Sequence, residues 1–238
     1  MPKYKLDNYR PNGGFGRYNV DIVMVIDATG SMSPLLEMVK SGALKFHSDL
    51  SEEMGKKSKF IDKLRVRIIA FRDYVYDKED AMIATDFYDL PEQSVEFREA
   101  FDYIEAKGGG DIPEDGLEAL AFAIKSDWAK EGDMRRHIIV LWTDAPAHEL
   151  GYGKDQPNYP REKMAKDFDE LTEWWGFGKD SGLMEYKAKR LLIYAPDDYP
   201  WNIIENAWEN TVYYPSAAGE GMEDRVYGEI LNAICSSI

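Results

Sequence analysis

Two short segments place carboxylates where carboxylates can do chemistry. Residues 20–26 form an apolar, largely β-branched run that ends in Asp27-Ala28-Thr29-Gly30-Ser31. Residues 137–143 form a second apolar run, ending in Asp144-Ala145-Pro146. In an open doubly wound sheet the ligand crevice lies beyond the carboxyl ends of the strands, where the strand order reverses. Two carboxylates at two such ends would face each other across it. A loop carrying Asp27, Thr29 and Ser31 can aim alternate side chains at one point, and Gly30 lets the backbone bend and approach closely. A carboxylate and two hydroxyls on one loop, with a carboxylate on another, make a hard-oxygen set suited to Mg²⁺, Mn²⁺ or Ca²⁺. An Asp at a strand end also serves plain turns and helix caps; the joint set is what points to a metal.

Such a set needs a sheet to hold it. Ser33-Pro34 fits an N-cap residue followed by proline in the first helical position, and a helix is expected from there to about residue 53. Strands are expected over 65–71, 190–195 and 211–214, and a short strand over 81–85. That short strand follows a tight connection, which makes it antiparallel and places it at an edge. Helices are expected over 92–105, from Pro113 onward, and over 161–175, 201–208 and 222–236. The stripe Leu117, Leu120, Ala121, Ile124 and Trp128 has the spacing of one buried helix face. Glu114 and Asp115 then fall in a first turn, where the helix dipole favours negative charge. Strands alternating with helices predict an α/β fold, a doubly wound, mostly parallel sheet covered on both faces. Gly13, Gly14 and Gly16 mark residues 1–19 as a flexible lead-in, and no linker divides residues 20–238, which are expected to be one domain.

The Asp27–Ser31 segment resembles the metal-ion-dependent adhesion site of von Willebrand factor A domains, whose motif is Asp-x-Ser/Thr-x-Ser. Three further segments strengthen the resemblance: Phe71-Arg72-Asp73-Tyr74, Gly108-Gly109-Gly110-Asp111-Ile112-Pro113-Glu114-Asp115 and Thr143-Asp144-Ala145-Pro146. The likeness runs from about residue 20 to 235. It implies a Rossmann-like sheet of six strands with one antiparallel edge strand. It also implies a divalent cation (Mg²⁺ first, Mn²⁺ or Ca²⁺ as alternatives) held by Asp27, Thr29, Ser31, Asp111 and Asp144, with Asp27 acting through water. A partner's acidic side chain would complete the octahedron, so the function implied is adhesion or scaffolding through protein contact. The position family members usually fill with Thr carries Asp111 here. Three ionised carboxylates against a divalent ion leave the site at net −1. That weakens the pull on an acidic ligand, favours metal retention and tilts the site toward Ca²⁺. Gly108–Gly110 is open to two readings, a plain flexible turn or a turn that brings Asp111 to the ion.

The same face is expected to carry a rim of Asp73, Arg72, Tyr74, Tyr76, His148 and Asp197, with the long 145–160 loop. Asp73 could bind metal, support Arg72 or face solvent. Loops of that length in compact domains are usually functional or disordered, and Tyr and Trp are over-represented at binding hot spots. The rim reading is a protein or peptide that brings a carboxylate to the metal and basic residues to an acidic surround. The plainer reading has these aromatics capping the core and the acids solvated.

Other chemistries lack their residues. The chain has three histidines and one cysteine, Cys235, too few for a zinc site of clustered Cys and His. His148-Glu149 lacks the second histidine of a zinc-protease helix, and neither a phosphate loop nor a Gly-x-Ser-x-Gly elbow is present. A metal-dependent phosphate-ester hydrolase is the enzyme alternative, but position 29 is Thr where a haloacid-dehalogenase pattern wants a second Asp. A structural subunit with a merely stabilising metal is the third reading. Asp and Glu number 44 against 29 Lys and Arg, a net charge of −15, which opposes binding to nucleic acid or anionic membrane. The start of the sequence has no signal-peptide pattern, and with a single cysteine and no long apolar run a cytoplasmic location is expected.

Overall fold

A computed structural model describes residues 16–110, 112–222 and 226–238. Its centre is a sheet whose longest strands are β1 (Gly16–Asp27) and β2 (Lys59–Phe71), joined through α1 (Ser33–Gly42) and α2 (Phe46–Lys56). Two short strands follow, β3 (Met82–Ala84) and β4 (Tyr88–Leu90), then α3 (Ser94–Asp102) and α4 (Gly116–Ile124). The second half runs β5 (Arg135–Trp142), α5 (Phe168–Trp175), β6 (Lys189–Ala195), α6 (Trp201–Ala207), β7 (Thr211–Pro215) and α7 (Tyr227–Ser237).

Across the sheet the order is β3-β2-β1-β5-β6-β7, with β4 also paired to β2. The five long strands are parallel. The antiparallel edge is shared by two short pieces along β2: β3 pairs with Ile69–Phe71 and β4 with Leu64–Val66. The sheet is thus six positions wide, as expected, but seven strands fill them.

Alternation along β1 explains the layers. Val20, Ile22, Met24 and Ile26 pack with α1, α2, α3 and α7, whereas Val23 and Val25 pack with α4, α5 and α6. Both faces are covered, as a parallel sheet requires. The chain leaves β1 toward β2 on one side and later returns to β5 on the other, so the order reverses at the β1/β5 boundary. That boundary is where a doubly wound sheet opens its crevice.

Several sequence-based bounds need correction. Residues 16–19, expected in the lead-in, belong to β1; residues 1–15 lie outside the described residues. The single helix expected to about 53 is broken by a 3₁₀ turn at Ala43–Lys45. At the break the Tyr227 ring from α7 occupies the space a Cβ on Gly42 would need, 2.6 Å away. The helix expected over 161–175 starts only at Phe168, where Asp167 caps it by accepting the Glu170 amide at 2.9 Å. Pro113 does not open α4. The helix begins at Gly116, so Glu114 and Asp115 are loop and cap residues rather than members of a first turn.

Candidate functional site

Asp27 is the last residue of β1 and is fully buried. Its Oδ1 accepts the Thr29 amide at 2.9 Å and the Thr29 hydroxyl at 2.6 Å, while Oδ2 accepts the Thr143 hydroxyl at 2.7 Å. Thr29 stands in extended backbone, and the next three residues form a 3₁₀ turn. That geometry carries Ser31 back toward Thr29, with Thr29 Oγ1 and Ser31 Oγ 3.5 Å apart. From the β5 side, Asp144 Oδ1 accepts the Ser31 hydroxyl at 3.1 Å. Asp27, Thr29, Ser31 and Asp144 therefore form one continuous chain of oxygen atoms across the β1/β5 boundary.

Thr29, Ser31 and Asp144 line a cleft of about 360 Å³ whose walls include Gly108, Gly109, Glu114 and Gly219, with Asp27 buried behind them. Among the described residues no Arg or Lys donates to Asp27. Burial pushes its carboxyl up to about 6, against the hydrogen bonds from Thr29 and Thr143, and the nearby Asp144 adds to the rise. A buried carboxylate held only by neutral donors is costly unless a cation joins it. The donor set is all oxygen, from carboxylates and hydroxyls, and so fits a hard divalent cation. Asp111, the remaining expected ligand, lies outside the described residues.

Gly108 and Gly109 have φ of +76° and +81°, a backbone that side chains rarely adopt. A Cβ on Gly109 would stand 3.1 Å from Glu114 Oε1 and 3.2 Å from Thr29 Cγ2. Gly109 thus makes a close approach to Glu114 and Thr29; the two readings of the triplet turn on Asp111, which lies outside the described residues.

The rim residues divide. Arg72 is buried and clamps loops: its guanidinium donates to the carbonyls of Ala28 (3.0 Å), Lys107 (2.9 Å), Glu105 (2.6 Å) and Asp80. Asp73 does not support it. Asp73 Oδ2 instead meets His148 Nε2 at 2.8 Å, and Oδ1 accepts the Tyr76 amide at 2.9 Å. Burial alone would raise the Asp73 carboxyl, but His148 and the amides of Tyr76 and Val75 outweigh it and hold it below its usual range. Tyr74 is buried, edge-on to Tyr159 at 5.1 Å, and is not a surface contact. His148 is 8% exposed and stacks on Tyr152 at 3.8 Å. Asp197 is exposed, as are Tyr76, Ile112 and Tyr152.

Two contributors escaped the sequence reading. The segment after β7 closes on the cleft: Gly219 donates to the Asp144 carbonyl and Gly221 to Asp144 Oδ2, both at 2.9 Å. Gly221 has φ +58°, and a Cβ there would lie 2.1 Å from the Ser31 carbonyl. The signal available was Gly219-Glu220-Gly221 after a strand. Glu114 is the second. It is 3% exposed, its Oε2 has no hydrogen-bond partner, and burial with the charges of Asp27, Asp73, Asp77 and Asp115 pushes it up to about 10.

The profile of the von Willebrand factor A domain matches residues 21–154. The chain belongs to this family. This vWA chain is 28% identical over 141 residues to the alpha-protein kinase vwkA of Dictyostelium discoideum, an alignment covering 59% of the chain and 21% of that protein. It is 30% identical over 163 residues to a putative ariadne-like RING finger protein, R811, of Acanthamoeba polyphaga mimivirus, covering 65% of the chain and 14% of that protein. The chain thus spans about a fifth or less of these relatives. Among solved structures, the pilus adhesin SpaC of Lactobacillus rhamnosus GG superposes with a TM-score of 0.53 at 14% identity, over 92% of this chain and 30% of that one. Its open conformation gives 0.51. At that identity the likeness is one of fold. Among the described residues no helix is long and apolar enough to cross a membrane.

Proposed function

We propose that this vWA domain is a protein-binding module whose contact with its partner depends on a divalent cation at a metal-ion-dependent adhesion site. The observation that carries the reading is the unbroken chain of oxygens from Asp27 through Thr29 and Ser31 to Asp144. Those four residues would hold the ion, with Asp111 as the expected fifth. When bound, the cation supplies a positive charge that accepts a carboxylate from the partner. The protein's own residues do the rest. Thr143 and the Thr29 amide orient Asp27. Gly221 fixes Asp144. The positive-φ glycines leave the cleft open to an incoming side chain. Exposed Tyr76, Ile112 and Tyr152 offer apolar and aromatic contact, and exposed Asp197 and Asp198 favour basic residues on the partner.

In this reading the module is not an enzyme, and the metal is Mg²⁺ before Mn²⁺ or Ca²⁺. The test is retention of cellular proteins on the immobilised chain, with Mg²⁺ or with chelator, for wild type and Asp144→Ala. Metal-dependent capture lost in the variant supports the proposal. Capture indifferent to chelator and to Asp144 removes it. Metal-dependent turnover of a chromogenic phosphomonoester, abolished by Asp27→Ala, would replace it with hydrolysis.

A further inference from the structure

Beside the oxygen chain lies a second group of buried ligand-type side chains with a different donor set. Asp73 follows the end of β2, Asp115 caps α4, and His148 belongs to the 145–160 loop. One ligand atom from each lies within 4.8 Å of the other two, and all three residues are buried. His148 Nε2 and Asp73 Oδ2 are already 2.8 Å apart. Ligand atoms held at about 2.1 Å from one ion stand roughly 3–3.5 Å from each other, so only a small closing movement by Asp115 is needed.

The neighbouring charges point the same way. Glu118, one turn along α4 from Asp115, is fully buried, and its Oε2 has no hydrogen-bond partner. Its Oε1 is held by the Gly151 amide at 2.8 Å and the Tyr159 hydroxyl at 3.1 Å, and His148 is among the charges that act on it. Glu114 supplies another unpartnered buried oxygen, acted on by Asp73 and Asp115. Asp73, Glu114, Asp115 and Glu118 are all buried in this neighbourhood, and His148 is held against Asp73. Arg72, adjacent in sequence, spends its guanidinium on backbone carbonyls and neutralises none of them.

We propose that Asp73, Asp115 and His148 form a second divalent-metal site, separate from the oxygen chain and built for Zn²⁺ rather than Mg²⁺. An imidazole nitrogen suits Zn²⁺ and related transition ions, whereas Mg²⁺ and Ca²⁺ prefer oxygen alone. Glu118 stands one helical turn away to accept a proton or water at the fourth position. The ion would pin three segments to one another: the end of β2, the start of α4 and the long rim loop. Two of these already meet through the Glu114–Ala147 bridge and the His148 amide donating to the Glu114 carbonyl at 3.0 Å.

The proposal does not depend on the adhesion reading, and its test separates the two. The whole chain, stripped with chelator, is titrated with Zn²⁺ and, as a spectroscopic probe, Co²⁺, in excess Mg²⁺. One equivalent of Zn²⁺ is expected to bind, with visible Co²⁺ absorption of an imidazole–carboxylate site. Both should survive Asp144→Asn, and Zn²⁺ affinity should fall at least about a hundredfold in His148→Gln. Because His148→Gln can also perturb folding, the ring nitrogens of His148 are followed by NMR in the wild-type chain, where Zn²⁺ is expected to shift one of them strongly. Absence of Zn²⁺ binding, loss of binding in Asp144→Asn, or an unmoved His148 ring on saturation with Zn²⁺ would each overturn the second site.

Discussion

Strand β1 buries two aspartates six residues apart, and the molecule treats them in opposite ways. Asp21, at the strand's early half, receives Arg65 through two bonds of 2.8 and 2.7 Å, and the Ala129 amide at 2.7 Å. Its charge is matched on the spot by a guanidinium of the neighbouring strand. Asp27, at the strand's end, receives from the described residues an amide and two hydroxyls. Neutral donors orient a carboxylate but leave its charge standing. The first arrangement is complete and stabilises the fold; the second, on the proposed reading, is completed by a cation from outside. Buried carboxylates are therefore sorted less by depth than by what donates to them.

Substitutions at the two positions can break this contrast. The largest effect is expected at the uncompensated end. Asp27→Asn and Asp144→Ala should each weaken Mg²⁺ binding by about a hundredfold or more in calorimetric titration, while metal-free Asp27→Asn melts no lower than wild type. A large loss of metal-free stability in Asp27→Asn would mean that its charge is already compensated. Next comes Asp21→Asn, which strands a partly buried Arg65. It should cost about 3 kcal/mol, or a melting point lower by about 6–12 °C for a chain of this size, equally with and without Mg²⁺. A third test sharpens the electrostatics of the cleft. Asp111→Thr removes the charge of the proposed fifth ligand and is expected to weaken metal binding by about tenfold; tighter binding would show that the extra carboxylate hinders the ion.

The smallest expected effect extends the contrast to a base. Lys189 is fully buried, and its ammonium donates to the carbonyls of Trp175 and Gly176. Burial lowers it from 10.5 to about 8. Between those values the folded chain sheds a proton that the unfolded chain keeps, so stability rises with pH across the window. The melting-point difference between wild type and Lys189→Met should therefore climb from pH 8 to 10.5. A flat difference would show that the carbonyls fully offset burial.

Sequence and structure agree best where the signal is local and dense. Asp27 ends β1, Thr29 and Ser31 sit on the turn that follows, and Asp144 lies just past the end of β5, so locating two strand ends sufficed to bring them together. Alternation also exposed the two-faced sheet. What the sequence hid depends on distant partners. Gly221 reaches Asp144 from 77 residues away. Arg72 reads as a surface cation until four carbonyls from separate loops converge on it. His148 reads as a rim residue until Asp73 is placed against it. Glu114 looks like a helix-dipole acid, because nothing local reveals that α4 starts two residues later. The close contact of Gly42 at the helix break with the Tyr227 ring of α7 is likewise beyond the reach of local propensity.

The Arg72 clamp has a kinetic consequence. Its donors join the turn after Asp27, the stretch before the glycine triplet and the β2–β3 connection into one rigid frame. A lysine could not do the same, since an ammonium has three donors without the planar fork. The three segments that Arg72 joins are thus ordered when the protein folds, and a partner need not wait for them to assemble. Association is expected at the ordinary rate of rigid surfaces, about 10⁵–10⁷ M⁻¹s⁻¹, and Arg72→Lys is expected to slow it more than it shortens the lifetime of the complex.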